Sequence, residues 1–371
     1  MKKPLKIGWI FQSDKMCGIS FYAHKYVAAL ENLITIIQID PLDIILHKKE
    51  AMALLHQCDM VHIQYETSLF FYKNRDRYDE LCNSIKCPVV VSLHEVYDDF
   101  PDVFPRRLIK GTAPVRAIKK IIYDLRHPVQ TALTKHISQS FYAEKIFVHS
   151  NFQKEILIKK NIAPAKMIIL PFLVQNRQKE STLSWSKSET IHLGASGFIN
   201  DSYNYDLLFE SLALCDMPWK FTWIGGTRRP EDGSLLERIN GEIKRRKWSD
   251  RFTITGVVTS EQRNGLIDCI HIYLALFKYK SSSGSLSVAL GAKKIILATS
   301  IPLALEMTSE FPAMRISPSN AGDLAAEIKR IINSVDARTS LLDSVERYCE
   351  KYDSGNIASQ LVLEYERLID V

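Results

Sequence analysis

Short β-branched runs alternate along this chain with longer stretches in which apolar positions recur every three or four residues. In the first half the runs are Ile7–Phe11, Ile34–Ile39, Met60–Ile63, Val89–Leu93, Lys145–Val148 and Met167–Leu170. Helical spacing covers Ile19–Asn32 and Ser68–Ile85 between them. Near-continuous apolar strands separated by helices predict parallel sheets covered on both faces. A polar stretch, Val174–Glu189, interrupts the rhythm and reads as a connector. The pattern restarts at Ile191–Gly197 and continues through Lys220–Ile224, Phe252–Thr255, Ile272–Leu276, Ile295–Ala298 and Met314–Ile316. Leu341–Leu368 has helical spacing to the end. The expected division is a first domain over 1–174, a linker over 175–189, a second domain over 190–335, and a helical segment over 336–371 returning toward the first. Both domains are expected to be doubly wound, which places ligands outside the carboxyl ends of the strands.

A chain of 371 residues suits two domains of ordinary size. Its net charge of +6 is too mild to imply nucleic acid by itself. The seven cysteines form no Cys-x-x-Cys pair and read as reduced thiols of a cytoplasmic protein. The apolar run near the amino terminus is a first strand and not a signal peptide. No run approaches the ~18 apolar residues of a membrane span.

The most informative stretch is Ser281–Thr299. Small hydroxyl residues and Gly284 open a short apolar helix, and a strand follows. A helix start offers N–H groups and a positive dipole end that suit a phosphate, and serines add donors. The same letters also describe an ordinary serine-capped helix. Gly18, at the entry of the first helix, lets backbone approach a diphosphate or simply makes a turn. His94 and Glu95 end a strand, where such a pair binds sugar hydroxyls, moves a proton, or is satisfied by backbone. His149 reads as a structural neighbour of a helix cap.

Cys17–Ser20, Asp59–Glu66, Cys87–Glu95, Ala143–Leu157 with Met167–Val174, Ile191–Ile199, Trp223–Gly226, Ile254–Gln262 and the serine-glycine run together resemble the retaining glycosyltransferases of family 4, in that family's order. The resemblance spans nearly the whole chain. It implies the GT-B architecture, two Rossmann-like domains facing across a crevice. It also implies transfer of a sugar from a nucleotide-diphosphate donor, with no metal or other cofactor and an acceptor on the first domain. Gly18 then resembles the glycine-loop residue near the diphosphate, and His94 the histidine beside the transferred sugar. Gly256 and Val257 resemble the nucleobase loop. Ser282, Ser283, Gly284 and Ser285 resemble the donor-phosphate amides.

Two departures follow from the same comparison. The family's paired glutamates would fall at Lys280 or Ser281 and at Val288 or Ala289, none of them acidic. The arginine and lysine of the loop after the first strand of the second domain are also missing, with Phe198 and Tyr203 near those places. Lys278, Lys280 and Arg228 are the candidate substitutes for the lost charge. Arg106–Arg126 holds seven Lys/Arg against one acid, with aliphatics interleaved at helical spacing. Arg116, Lys119 and Lys120 are its central cations. An anionic membrane surface would bind such a face, and an ordinary surface helix would look the same. The expected function is glycosyl transfer to a polysaccharide or lipid-linked glycan, on or near the cytoplasmic face of a membrane. The competing expectation is a catalytically silent relative that binds a glycan or serves as a partner subunit.

Overall fold

The computed structural model describes residues 4–12, 18–72, 75–97, 137–177, 190–228, 233–312, 314–317 and 320–369, together with Trp185 and a few residues between 112 and 122. The chain forms two compact units. One comprises Met1–Phe172 with Ser354–Val371, and the other Leu173–Asp353.

The first unit is built on six parallel strands. These are β1 (Lys6–Ile10), β2 (Thr35–Ile39), β3 (Met60–Tyr65), β6 (Val89–Leu93), β7 (Lys145–Val148) and β8 (Met167–Ile169), in the order β2-β1-β3-β6-β7-β8. Every residue of β3 and β6 is buried, the consequence of helices on both faces. The first helix, Gly18–Leu30, packs on the last, Ser354–Ile369. The sheet order reverses direction between β1 and β3.

The second unit repeats the plan with β9 (Ile191–Ser196), β10 (Trp219–Ile224), β11 (Phe252–Ile254), β12 (Ile272–Ala275), β13 (Ile295–Thr299) and β14 (Met314–Ser317). The order is β11-β10-β9-β12-β13-β14, so the direction reverses between β9 and β12. Those two strands pair only at Ile272–Leu193 and Tyr273–Gly194. Beyond these pairs they part, which opens the carboxyl edge at the switch point.

Two predicted helices differ. Ser68–Ile85 is not continuous: Thr67–Phe70 and Tyr78–Asn83 are separate helices around a small antiparallel pair, β4 (Phe71–Tyr72) and β5 (Arg75–Asp76). The Arg77 N–H closes back on the Phe70 carbonyl at 2.9 Å. The Asp76 carboxylate accepts from the Tyr78 N–H at 2.9 Å and starts the second helix. Likewise Leu341–Leu368 is broken. Val335–Lys351 packs within the second unit and Ser354–Ile369 within the first. At the break the Tyr352 carbonyl accepts from the Val174 N–H at 2.8 Å, and Asp353 bridges Val174. The upstream connector takes up the hydrogen bond that would have continued the helix.

Candidate functional site

In the first unit the strand ends gather a buried polar cluster. His94, directly after β6, is 3% exposed, and Gln64 at the end of β3 is 1% exposed. His94 Nε2 lies 2.9 Å from Gln64 Oε1, so the imidazole donates and the amide oxygen accepts. Gln153, from the helix Asn151–Lys159, braces the next loop. Its Oε1 accepts from the His149 N–H at 2.6 Å, and its Nε2 donates to the His94 carbonyl at 3.3 Å. Tyr22, in the second turn of the first helix, sets its ring edge-on to His94 at 5.0 Å and to His149 at 5.6 Å. Burial, and then the neighbouring His149 and His62, push the His94 pKa well below the usual histidine value. His94 is therefore a neutral packing and hydrogen-bonding group and a poor proton shuttle. Glu95 is half-buried beside it. Gly18 opens the first helix on the exposed surface, and a Cβ there would meet nothing within 4 Å. Packing does not demand that glycine.

In the second unit the loops after β9, β10 and β11 meet backbone to backbone. Gly225 has φ +142°, and a Cβ on it would lie 2.1 Å from the Gly197 carbonyl oxygen, so only glycine fits. The Gly197 N–H donates to the Ile224 carbonyl at 3.0 Å, and Trp223 Nε1–H donates to the Gly197 carbonyl at 3.1 Å. Thr255 Oγ1 accepts from the Gly225 N–H at 3.0 Å and donates to the Gly256 carbonyl at 2.8 Å. Gly256 has φ +70°, and Val257 beside it is half exposed. The Arg228 guanidinium lies 5.7 Å over the ring of Phe198, in the loop where a cation was expected to be missing.

The serine-glycine run starts the helix Gly284–Gly291 at the same edge. Ser283 caps it by accepting from the Leu286 N–H at 3.2 Å, and Ser283 Oγ lies 3.1 Å from Ser285 Oγ. Ser282 is buried. Gly284 is exposed, with nothing within 4 Å of its Cβ position. No intrahelical carbonyl is available to the N–H groups of Gly284 and Ser285. Tyr273 joins this helix start to β9. Its hydroxyl accepts from the Ser196 N–H at 3.0 Å and is hydrogen-bonded to Ser285. Lys278 is exposed and Lys280 half-buried just before the run. Val288 and Ala289 are buried in the helix.

Gly256, Arg228, the serine run and its lysines thus all lie at strand ends of the second unit, and His94, Glu95 and Gly18 at those of the first. Arg116 and Lys120 lie outside the described residues, and Lys119 is half-buried. Sequence reasoning assigned no role to Tyr273 or Gln153, and took Gly225 only as part of the Trp223–Gly226 motif. A tyrosine inside the buried run Ile272–Leu276 was the available signal, since a buried phenol requires a partner. Among the described residues no three of His, Cys, Asp and Glu come together as a metal cluster, and no helix is long and apolar enough to cross a membrane.

Two parallel-sheet α/β units with loops of this kind at their strand ends are the GT-B glycosyltransferase fold. Solved structures similar to this chain include HepE of Anabaena in complex with UDP and glucose, with TM-score 0.69 at 12% identity over 98% of this chain and 100% of that one. A glycosyltransferase of Rickettsia africae gives 0.66 at 15%, over 99% of each chain. Sucrose-phosphate synthase of Thermosynechococcus elongatus gives 0.67 at 14%, also over 99% of each. No family model and no curated protein matches the sequence.

Proposed function

We propose that this protein transfers a sugar from a nucleotide-diphosphate donor to a hydroxyl of a polysaccharide or lipid-linked glycan, with retention at the anomeric carbon. The observation that carries the reading is the start of the helix Gly284–Gly291. Its first N–H groups and the open side of Gly284 lie beside Tyr273, Ser196 and Gly197 at the switch point of the second sheet. That HepE was solved with UDP and with UDP-glucose supports a uridine nucleotide as the first donor to try. Gly256 and Val257 would meet the nucleobase, and Ser282 to Ser285 the phosphates. Lys278, Lys280 and Arg228 would supply the positive charge, with no metal needed. In the transfer step the acceptor oxygen bonds to the anomeric carbon as the bond to the β-phosphate oxygen breaks. The departing diphosphate takes the hydroxyl proton, since neutral His94 is too weak a base to hold it. His94 and Glu95 then orient the sugar.

The acceptor reading rests on the basic stretch around Arg116, Lys119 and Lys120, whose described aliphatics Val115, Ile118, Ile121 and Ile122 are all exposed. That combination supports work on a lipid-linked acceptor at a cytoplasmic membrane face. The silent-subunit reading is favoured by one feature: Val288 and Ala289 are buried apolar residues where the resemblance calls for an acid. Calorimetric titration with UDP, then turnover of UDP-glucose and other nucleotide sugars with membrane glycolipid acceptors, tests both. UDP binding with turnover supports the enzyme. Binding without turnover of any donor supports the subunit, and absence of nucleotide binding overturns the donor site.

A further inference from the structure

The loop after β9 has no lysine or arginine from Gly197 to Asn204, and its residues clamp the next loop instead. Tyr203, near one of the places where the resemblance calls for a cation, is 3% exposed. Its hydroxyl donates to the Leu274 carbonyl on β12 at 3.0 Å. Its ring lies edge-on to Trp223 at 4.7 Å and to Phe277 at 6.0 Å. Tyr203 and Phe277 form an antiparallel bridge. A backbone bond crosses on either side of it. The Asn204 N–H donates to the Leu276 carbonyl at 2.7 Å, and the Lys278 N–H to the Ser202 carbonyl at 2.8 Å. Asn200 shapes the loop, since its Oδ1 accepts from the Ser202 N–H at 2.9 Å and from the Ser202 hydroxyl at 2.5 Å. From β13, on the other side of β12, the Thr299 hydroxyl donates to the Phe277 carbonyl at 2.5 Å.

Backbone beyond a strand end usually runs over the surface and is more mobile than the strand itself. Here the carbonyls of Leu274, Leu276 and Phe277 and the N–H of Lys278 all have protein partners. The fixed segment ends in an open charge. The Lys278 side chain is exposed, and among the described residues no carboxylate pairs with it. Lys280, two positions on, is half-buried and already engaged in another contact. Binding an anion through a lysine costs order in a long side chain, so a rigid backbone beneath it lowers what the ligand must still immobilise. β9 and β12 are neighbours at the switch point, so Lys278 leaves the sheet at the edge where ligands of such folds lie.

We propose that Lys278 is the cation that faces the donor diphosphate in the second unit, and that Asn200 and Tyr203 position it by fixing the backbone that carries it. The assignment rests on the nucleotide-donor reading. It moves the missing charge from the loop after β9 to the loop after β12, with the first loop serving as the brace of the second.

Calorimetric titration of the full-length chain with UDP and with inorganic pyrophosphate tests this. Lys278→Met keeps the length of the side chain, removes the charge, and should weaken UDP about tenfold. Part of the salt dependence of UDP binding should go with it, because an exposed charge facing an anion is screened. Lys280→Met should stay within about twofold, and a larger loss there than in Lys278→Met overturns the choice of lysine. Asn200→Ala should weaken UDP at least about threefold in the parent chain and change nothing further in Lys278→Met, the mark of residues that act through one another. Tyr203→Phe keeps the ring, should behave alike, and carries the test if Asn200→Ala does not fold. A merely structural clamp would lower affinity equally in both backgrounds, and that result overturns the positioning roles. Parent-like UDP affinity in Lys278→Met overturns the cation and leaves the donor reading standing. If pyrophosphate binds through Lys278 and UDP binds no better, the cation stands and the nucleotide reading falls. If neither ligand binds, both fall.

Discussion

The hydroxyl of Tyr365, on the last helix, lies 2.5 Å from Nδ1 of His62 on β3, and neither residue has any exposed surface. Nε2 of His62 continues the chain to Ser92 Oγ on β6 at 2.7 Å. Trp9 and Phe147 close over the imidazole at 4.5 and 5.3 Å. The carboxyl-terminal helix is thereby fastened to the two central strands by a polar chain inside an aromatic shell. In such a setting each member depends on its partners for satisfaction.

Removing the phenolic oxygen should show this dependence. Tyr365→Phe keeps the ring and leaves a buried imidazole nitrogen without a partner, at a cost of about 1–3 kcal/mol. Tyr352→Phe removes a surface hydrogen bond to Glu310 and should stay within about 0.5 kcal/mol of the parent. Urea midpoints of the two variants, with hydrogen exchange of the last helix, provide the measurement. Equal effects would mean that the chain through His62 does not hold the helix.

Acid should destabilise the first unit through its three buried histidines. Burial lowers His62 to about 3 and His149 to about 4, and holds His94 well below the usual value. The unfolded chain therefore binds protons near the ordinary pKa of about 6.5 that the folded chain refuses. Stability is complete above that value and is lost as pH falls toward the folded values. Between about pH 6.5 and 5, His62 and His149 each contribute a loss of about 2 kcal/mol, and His94 adds in the same direction. Urea midpoints across that interval should fall steeply, and His62→Gln should flatten the slope. A level midpoint would contradict the buried, neutral state of these rings.

The strands were readable because the central ones lie in sheets covered on both faces, so burial wrote Val89–Val91 and Ile295–Ala298 as apolar runs. The helix start at Ser283 was readable for a local reason, since its cap bonds within three residues. What the sequence concealed depends on distant partners. The break at Tyr352 answers to Val174, and the split in 67–85 to a closure between Arg77 and Phe70. Tyr273 finds Ser196 on another strand, 77 positions away. Gln153 depends on His94 and His149, which lie beyond the ends of β6 and β7.

Two glycines should respond oppositely to the same methyl group. Gly225→Ala drives a Cβ into the Gly197 carbonyl at an unfavourable positive φ and should destabilise the second unit by more than about 2 kcal/mol. Gly284→Ala meets open space in a helix and should leave stability unchanged or raise it by up to about 1 kcal/mol. If a diphosphate lies against Gly284, the same change should weaken UDP at least about tenfold, the loss of a charge-assisted contact. Thermal melts with and without UDP separate the two effects. Unchanged UDP affinity in Gly284→Ala would move the phosphate away from this helix start.

The basic stretch gives the sharpest separation between a membrane-linked and a dissolved acceptor. Ile118 and Ile121 are 58% and 60% exposed, so the described aliphatics there are not packed into a core. The sequence from 106 to 126 adds seven lysines and arginines to these aliphatics, a combination that suits anionic lipid at about 1 kcal/mol per basic residue near the surface. Full-length protein should sediment with vesicles containing phosphatidylglycerol and remain in solution with neutral phosphatidylcholine. Added salt should release it, because exposed charges are screened over about 8–10 Å at physiological ionic strength. Changing Arg116, Lys119 and Lys120 to Glu should abolish sedimentation. Ile118→Ser with Ile121→Ser should weaken it while the melting temperature stays put, since exposed side chains contribute little to the fold. Transfer to a membrane glycolipid should fall in both variants while UDP affinity is kept. Failure to bind anionic vesicles even at low salt would leave the stretch an ordinary charged surface and make a dissolved glycan the acceptor.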